Sequence, residues 1–188
     1  CCPNAEIPFR ISELIKSSNT EIIINCAGRT RSIIGAQALI SFGIKNKVYA
    51  LENGTQGWFL ANLKLDHGKT KFLDKTPKNE KIYELREKIV NLLENKVEII
   101  DFNQAQKLIN DKNITTYVFD VRTNSNQKNK LSKLRNVPGG QLVQATDKYI
   151  GVLKSHVIVF DDGDLVRAGM TALWLKKMNY HCYVVNES

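Results

Sequence analysis

No apolar run in these 188 residues approaches the roughly 18 that a membrane-spanning helix needs, which excludes a helical span. The chain opens Cys1-Cys2-Pro3-Asn4, without a Met, a basic stretch or an apolar signal core. No secretory signal is therefore expected, and the start reads as that of a fragment of a longer protein. Cysteine is scarce: Cys1, Cys2, Cys26 and Cys182 form no Cys-x-x-Cys pair and have no ligand-spaced histidine, which argues against a structural zinc site. Free thiols without a signal fit a reducing compartment, so a cytoplasmic location is expected, with no metal and no cofactor. Acidic residues are outnumbered, 19 against 27 Lys and Arg, for a formal charge of +8. The excess is spread out, with clusters at Lys69, Lys71, Lys75, Lys78 and Lys81 and at Lys128, Lys130, Lys133 and Arg135. No base-reading motif or stacking aromatic accompanies these clusters, which favours a solvated surface over a nucleic-acid partner. The remaining balance, 43% hydrophobic and 24% charged, is that of an ordinary folded chain and excludes a disordered polyelectrolyte or a collagenous repeat.

The apolar pattern predicts an α/β organisation. Glu21-Ile22-Ile23-Ile24-Asn25 reads as a short buried strand because β-branched residues run together. Ser32 to Ile40 has helical spacing, and Gly43 is placed to cap it. Lys47 to Leu51 is a second strand, and Gly54, Gly57 and Trp58 open a short helix running to Leu63. Strand, loop, helix and strand in this order signal a parallel sheet. Residues 66–80 read as a linker, followed by an amphipathic helix from Glu80 to Leu93 with Ile82, Leu85, Ile89 and Leu92 on one face. That stripe reads as a packed connector. A new unit begins near Val97, with strands at 97–100, 116–121, 157–160 and 182–185 and helices at 104–109 and 165–178. Residues 123–136 read as a polar, basic loop ending at Val137-Pro138-Gly139-Gly140.

The two halves look like a repeat. A shift of 136 positions lays Ile22 on Ile158, Arg31 on Arg167, Ala36 on Ala172, Leu39 on Leu175 and Val48 on Val184, without a gap. Under this register Cys1 to Asn4 falls on Val137 to Gly140, so the first unit has no counterpart of residues 96–136. The expected architecture is two parallel-sheet units with flanking helices, the first lacking its N-terminal third. The domain boundaries expected are 1–65, a linker and connector helix over 66–95, and a second domain over 96–188.

Chemistry points to Cys26. A cysteine between a buried strand and a helix N-terminus lies in a field of unpaired N–H groups and positive dipole. A tight loop turns such groups inward as an anion cradle. Gly28 lets the backbone approach closely, and Arg29 and Arg31 add positive charge. All of this favours the thiolate, which is the nucleophilic form.

Cys26-Ala27-Gly28-Arg29-Thr30-Arg31-Ser32, followed by an Ala-rich helix and by Lys47 to Trp58, resembles the rhodanese sulfurtransferase family, in particular bacterial chains carrying several such domains. Phe119-Asp120-Val121-Arg122 resembles the family's Asp-x-Arg strand end, and Val137-Pro138-Gly139 its Ile-Pro-Gly turn. The resemblance implies rhodanese-like units and sulfane-sulfur transfer. Cys26 would attack the outer sulfur of thiosulfate or a similar small-molecule donor, release sulfite and hold a persulfide for a thiol or cyanide acceptor. The N–H groups of Ala27, Gly28, Arg29, Thr30 and Arg31 would hold the persulfide anion, and Arg29 or Arg31 the donor's sulfonate. The loop is one residue shorter than that of related cysteine phosphatases, with Ser32 where they place arginine, which disfavours phosphatase chemistry.

The second unit departs from this pattern. At a shift of 136, Asp162 replaces Cys26, and Asp161-Asp162-Gly163-Asp164 puts carboxylates where an anion should bind. That unit is expected to be catalytically silent, with Arg167 pairing to the aspartates and Cys182 in the core. His67, His156 and His181 are not spaced to serve Cys26, and Trp58 and Trp174 read as core or cap aromatics. The competing reading is a non-catalytic sensor or docking module on the same fold. The sequence carries no sign of oligomeric state.

Overall fold

The computed structural model describes residues 1–28, 30–73, 76–123 and 131–186. Arg29, Lys75, Lys128 and Lys130, singled out above, lie outside these residues. Among the described residues the chain forms eight helices and seven strands, in two units, Cys1–Lys78 and Asn79–Ser188.

In the first unit α1 (Ile7–Leu14) was not legible in the sequence. Its buried residues crowd its first turns as Ile7, Pro8, Phe9 and Ile11, too short a stretch to show a period. Proline is tolerated there because the first-turn N–H groups have no helical partner. Parallel strands β1 (Ile22–Ile24) and β2 (Val48–Ala50) pair Ile22 with Val48, Ile23 with Tyr49 and Ile24 with Ala50. Period-two alternation sends Ile22 and Ile24 to one face, where they pack with Ile7 and Ile11 and with Ala36 and Leu39 of α2 (Thr30–Ser41). Ile23 and Tyr49 point to the other face and are exposed. Gly43 ends α2 as expected: at φ 75° it lets the Ile44 N–H reach the Leu39 carbonyl at 3.2 Å. The short helix α3 (Gly54–Leu60) follows β2.

The second unit starts with α4 (Asn79–Leu93), which buries Leu85, Ile89 and Leu93. Expected as a connector, it packs on α8 (Val166–Lys177) within this unit. The contact passes over Gly169, where a Cβ would lie 2.5 Å from Ile89 Cγ1. The remaining elements are β3 (Glu98–Ile100), α5 (Phe102–Asn110), β4 (Thr116–Asp120), β5 (Leu134–Asn136), α6 (Gly139–Gln144), α7 (Thr146–Tyr149), β6 (His156–Phe160) and β7 (His181–Val185). The strands form one parallel sheet in the order β3-β7-β6-β4-β5. Strand β5 lies inside the stretch expected as loop. Its short Leu-Arg-Asn run has no strand pattern of its own, and pairing with β4 makes it a strand.

Helix α5 is started by a capping box between Asp101 and Gln104, each bond 2.8 Å. It covers the sheet face of Ile100, Val118, Ile158, Phe160 and Val185 with Ala105 and Ile109. The later crossovers run in the opposite direction along the sheet, and right-handedness puts α6 and α8 on the other face. That face carries Val157, Val159 and Val184, all fully buried. Being covered on both sides, β6 is apolar without a break from Val157 to Phe160.

This geometry corrects the gapless repeat. The shift of 136 holds across the helices, where α2 and α8 match end for end, and Tyr180 N–H reaches the Leu175 carbonyl just as Ile44 reaches Leu39. It fails on the strands. The residues facing α2 are Ile22, Ile24, Val48 and Ala50, and those facing α8 are Val157, Val159, Cys182 and Val184. Ile24 therefore matches Val159, an offset of 135, and Val48 matches Cys182, an offset of 134. The second unit has one residue more between strand and helix and two fewer between helix and last strand.

Candidate active site

Cys26 lies two residues beyond Ile24, after β1 and before the first turn of α2. The loop is pinned from its carbonyl side. The Cys26 carbonyl accepts the Thr55 N–H at 2.9 Å, and the Ala27 carbonyl accepts the Gln56 N–H at 2.9 Å, both from the first turn of α3. In a trans peptide the carbonyl and the next N–H point opposite ways. The N–H groups of Ala27 and Gly28 are thus turned away from α3.

Two glycines permit this contact. Gly54 has φ +54°, and a Cβ on it would lie 2.2 Å from the Cys26 carbonyl oxygen and 2.7 Å from the Gly28 nitrogen. A Cβ on Gly28 would lie 2.7 Å from Gln56 Oε1 and 2.8 Å from the Asn53 carbonyl oxygen. The close approach expected of Gly28 is thus made to the α3 side of the loop. Asn53 and the two glycines form the seat that holds Cys26 in place.

Cys26 is half-buried, and its thiol donates to Ser32 Oγ at 3.3 Å. Ser32 is buried in the first turn of α2. The sequence marks Ser32 only through the loop length; its place in the first turn of α2 is the signal for its contact with Cys26. Ala27, Thr30 and Arg31 are exposed and Gly28 is half-buried. The Arg31 carbonyl accepts from Asn4 Nδ2 at 3.2 Å, and among the described residues its guanidinium has no carboxylate partner. Arg29, the other cationic candidate, is outside the described residues.

In the second unit the matching position is Asp161, two residues beyond Val159, and not Asp162 as the gapless shift implied. Asp161 is fully buried. Its Oδ1 accepts the N–H groups of Gly163 at 3.0 Å and Leu165 at 3.2 Å, and its Oδ2 accepts that of Ala168 at 3.0 Å. Ala168 is the helix counterpart of Ser32. The strand-to-helix loop of this unit is thus wrapped around an acidic side chain of its own.

Arg167, the counterpart of Arg31, pairs with Asp162 and with Asp164 Oδ2, the latter at 2.5 Å. Burial pushes Asp161 up, against the opposing N–H of Ala168. Burial, with the neighbouring Asp161 carboxylate, pushes Asp164 up to about 8. For Asp162 burial also works upward, but its hydrogen bond with Asp164 and the charge of Arg167 hold it down overall. Oxygens of the three carboxylates lie within 4.8 Å of one another, the one such grouping of potential metal ligands among the described residues. Arg167 and the loop N–H groups already compensate their charge.

The other motif residues are structural in their contacts. Arg122 forks onto Asp120, Nε to Oδ1 at 2.9 Å and Nη2 to Oδ2 at 2.6 Å, with both side chains buried. The Asp120 partner raises the Arg122 pKa further. The Gly139 N–H closes on the Val121 carbonyl at 3.0 Å, joining the two sequence motifs. Cys182 is buried, which pushes its thiol up to about 12. Trp58 is exposed, and its indole N–H caps the Lys64 carbonyl at 3.2 Å.

Comparison with known proteins places this architecture. No protein-family model and no curated protein sequence matches the chain. Among solved structures, a thiosulfate sulfurtransferase from Pseudomonas aeruginosa superposes at a TM-score of 0.91 with 38% identity, over 99% of this chain and 35% of that one. The chain has the rhodanese fold. It spans about a third of that relative's length. A 3-mercaptopyruvate sulfotransferase from Escherichia coli also matches, over 97% of this chain and 71% of that one, at 18% identity and a TM-score of 0.37, too low to establish a shared arrangement. Cys26 and Asp161 occupy matching places in their two units, the turn from a parallel strand into the following helix. No helix among the described residues is long and apolar enough to cross a membrane.

Proposed function

We propose that the first unit is a sulfurtransferase site with Cys26 as nucleophile and sulfur carrier. One observation carries the reading: Cys26 stands where the equivalent loop of the second unit holds a carboxylate on three backbone N–H groups. A thiolate or persulfide at Cys26 meets the same kind of turn, with N–H groups directed away from α3.

The Cys26 thiolate attacks the outer sulfur of thiosulfate. The donor's S–S bond breaks, and sulfite leaves with the bonding pair. The outer sulfur remains on Cys26 as a persulfide anion. Cyanide or a thiolate acceptor then attacks that sulfur, the persulfide bond breaks, and the pair returns to Cys26 Sγ. Each step is a displacement at sulfur, and neither calls for a cofactor. N–H groups from Ala27 to Arg31 hold the persulfide, and Arg31, with Arg29, binds the sulfonate oxygens as a charged fork.

The second unit is non-catalytic in this reading. Asp161 cannot carry a sulfane sulfur, and Arg167 is already engaged by Asp162 and Asp164. The test is mass spectrometry of the chain after incubation with thiosulfate. A gain of one sulfur, mapped to the Cys26 peptide and removed by cyanide, is expected. Absence of sulfur on that peptide overturns the proposal.

A further inference from the structure

We infer that Ser32 is a positioning residue for the Cys26 sulfur, donating its hydroxyl proton to the thiolate and favouring departure of that thiolate when sulfur is discharged. The inference rests on the assignment of Cys26 as sulfur carrier. Its basis is the 3.3 Å contact between Cys26 Sγ and Ser32 Oγ, six residues apart, between a loop and the first turn of α2. Ser32 is only 2% exposed, so water does not compete well for its hydroxyl. A hydroxyl rotates and can act either way. It accepts from the thiol, as observed, and donates once the sulfur is negative.

The second unit provides an internal comparison. There the helix residue matching Ser32 is Ala168, and its backbone N–H reaches the Asp161 carboxylate at 3.0 Å. In both units the same turn of the helix presents a donor to the side chain that ends the strand. In the first unit a side chain supplies it, so it can be removed without altering the backbone.

Other charges around the loop are few. The loop itself carries Arg29 and Arg31, Glu52 precedes α3, which has no titratable side chain, and α1, packed on α2, carries Glu13 and Arg10, the latter paired at 3.2 Å with Glu6 just before the helix. These charges are unchanged by a substitution at Ser32, so a shift in Cys26 reactivity reports the hydroxyl.

Chemically, a donor to the thiolate matters more for discharge than for loading. Lowering a thiol's pKa raises the thiolate fraction but lowers its nucleophilicity, whereas a lower-pKa thiolate leaves faster. During discharge Cys26 Sγ is the leaving group: the acceptor bonds to the outer sulfur and the S–S electron pair collapses onto Sγ.

The experiment uses the 188-residue chain and reads Cys26 alone, by peptide mass spectrometry after brief iodoacetamide alkylation across pH. Ser32→Ala is expected to move the alkylation midpoint up by about one to two pH units, and Ser32→Thr, which keeps the hydroxyl, to restore it. Single-turnover discharge to cyanide from preloaded Ser32→Ala should slow roughly three- to tenfold, while loading measured above the midpoint is not slowed. An unchanged midpoint, or equal slowing of both half-reactions, overturns the inference. Ser32→Gly removes the same hydroxyl and supplies the same readings if Ser32→Ala does not fold. Alkylation needs no sulfur transfer. A shifted midpoint without sulfur loading in the wild type therefore supports the contact and overturns the sulfur-carrier reading, whereas normal loading with an unshifted midpoint overturns the role of Ser32 alone.

Discussion

Asp161 occupies in the second unit the place that Cys26 occupies in the first. Each follows by two residues a side chain, Val159 or Ile24, that packs beneath the next helix. One is a half-buried thiol and the other a fully buried carboxylate on three N–H groups. The same strand-to-helix turn thus carries a thiol once and a carboxylate once.

Cys26→Ser is expected to abolish sulfur loading, and Cys182→Ser to leave it intact, because burial keeps Cys182 protonated near neutral pH. Mass spectrometry after thiosulfate checks both. Sulfur retained by the Cys26→Ser chain would show that the carrier is another thiol.

Arg31→Ala should weaken thiosulfate turnover. Loss of a charge-assisted hydrogen bond costs about 1.5–3 kcal/mol, or roughly ten- to a hundredfold in rate. The same is expected of Arg29→Ala. Steady-state kinetics with thiosulfate and cyanide measures the effect, and unchanged rates in both variants would mean that the donor binds elsewhere.

Restoring a cysteine to the second unit should not restore activity. The position to test is Asp161, and Asp162→Cys is expected to fail as well. In a Cys26→Ser background, Asp161→Cys leaves Asp162 and Asp164 beside the new thiol. The Asp162 charge raises its pKa and repels an anionic donor, and Asp162 and Asp164 together retain Arg167. Efficient sulfur loading of this double variant would show that the missing cysteine was the only lesion.

Gly54→Ala should displace the Cys26 loop. The new Cβ would meet the Cys26 carbonyl at 2.2 Å, at a φ of +54° that alanine adopts poorly. A loss of stability of about 1–3 kcal/mol is expected together with reduced sulfur loading. Thermal melting and sulfur loading, measured side by side, check this.

Stability of the second unit should fall as pH rises from about 4 towards 8. Burial raises Asp164 from an unfolded value near 3.9 to about 8, so between these values the folded state binds more protons than the unfolded chain. The associated stability is complete below the unfolded pKa and is lost as pH climbs through the folded one. Asp164→Asn should flatten this part of the profile, read as melting temperature against pH. An identical slope in the variant would assign the pH dependence to other groups.

The sequence alone determined the elements with a strong local signal. The β-branched run at Ile22–Ile24 reads as a strand, the Ala-rich stretch after Thr30 as a helix, and Gly43 as its end, because each carries its signal within a few residues of sequence. It also placed Cys26 between strand and helix. What it could not decide was which way the strands of the second unit face. Ile158 and Val157 are equally apolar, and a strand covered on both sides shows no alternation to distinguish them. Only the helices lying over each face, set by the direction of each crossover, choose between them, and so decide that Asp161 matches Cys26. Helices α1, α6 and α7 and strand β5 were too short to show a period, and packing or pairing makes them. The Ser32 contact with Cys26 likewise needed the turn of α2 to bring together two side chains six residues apart.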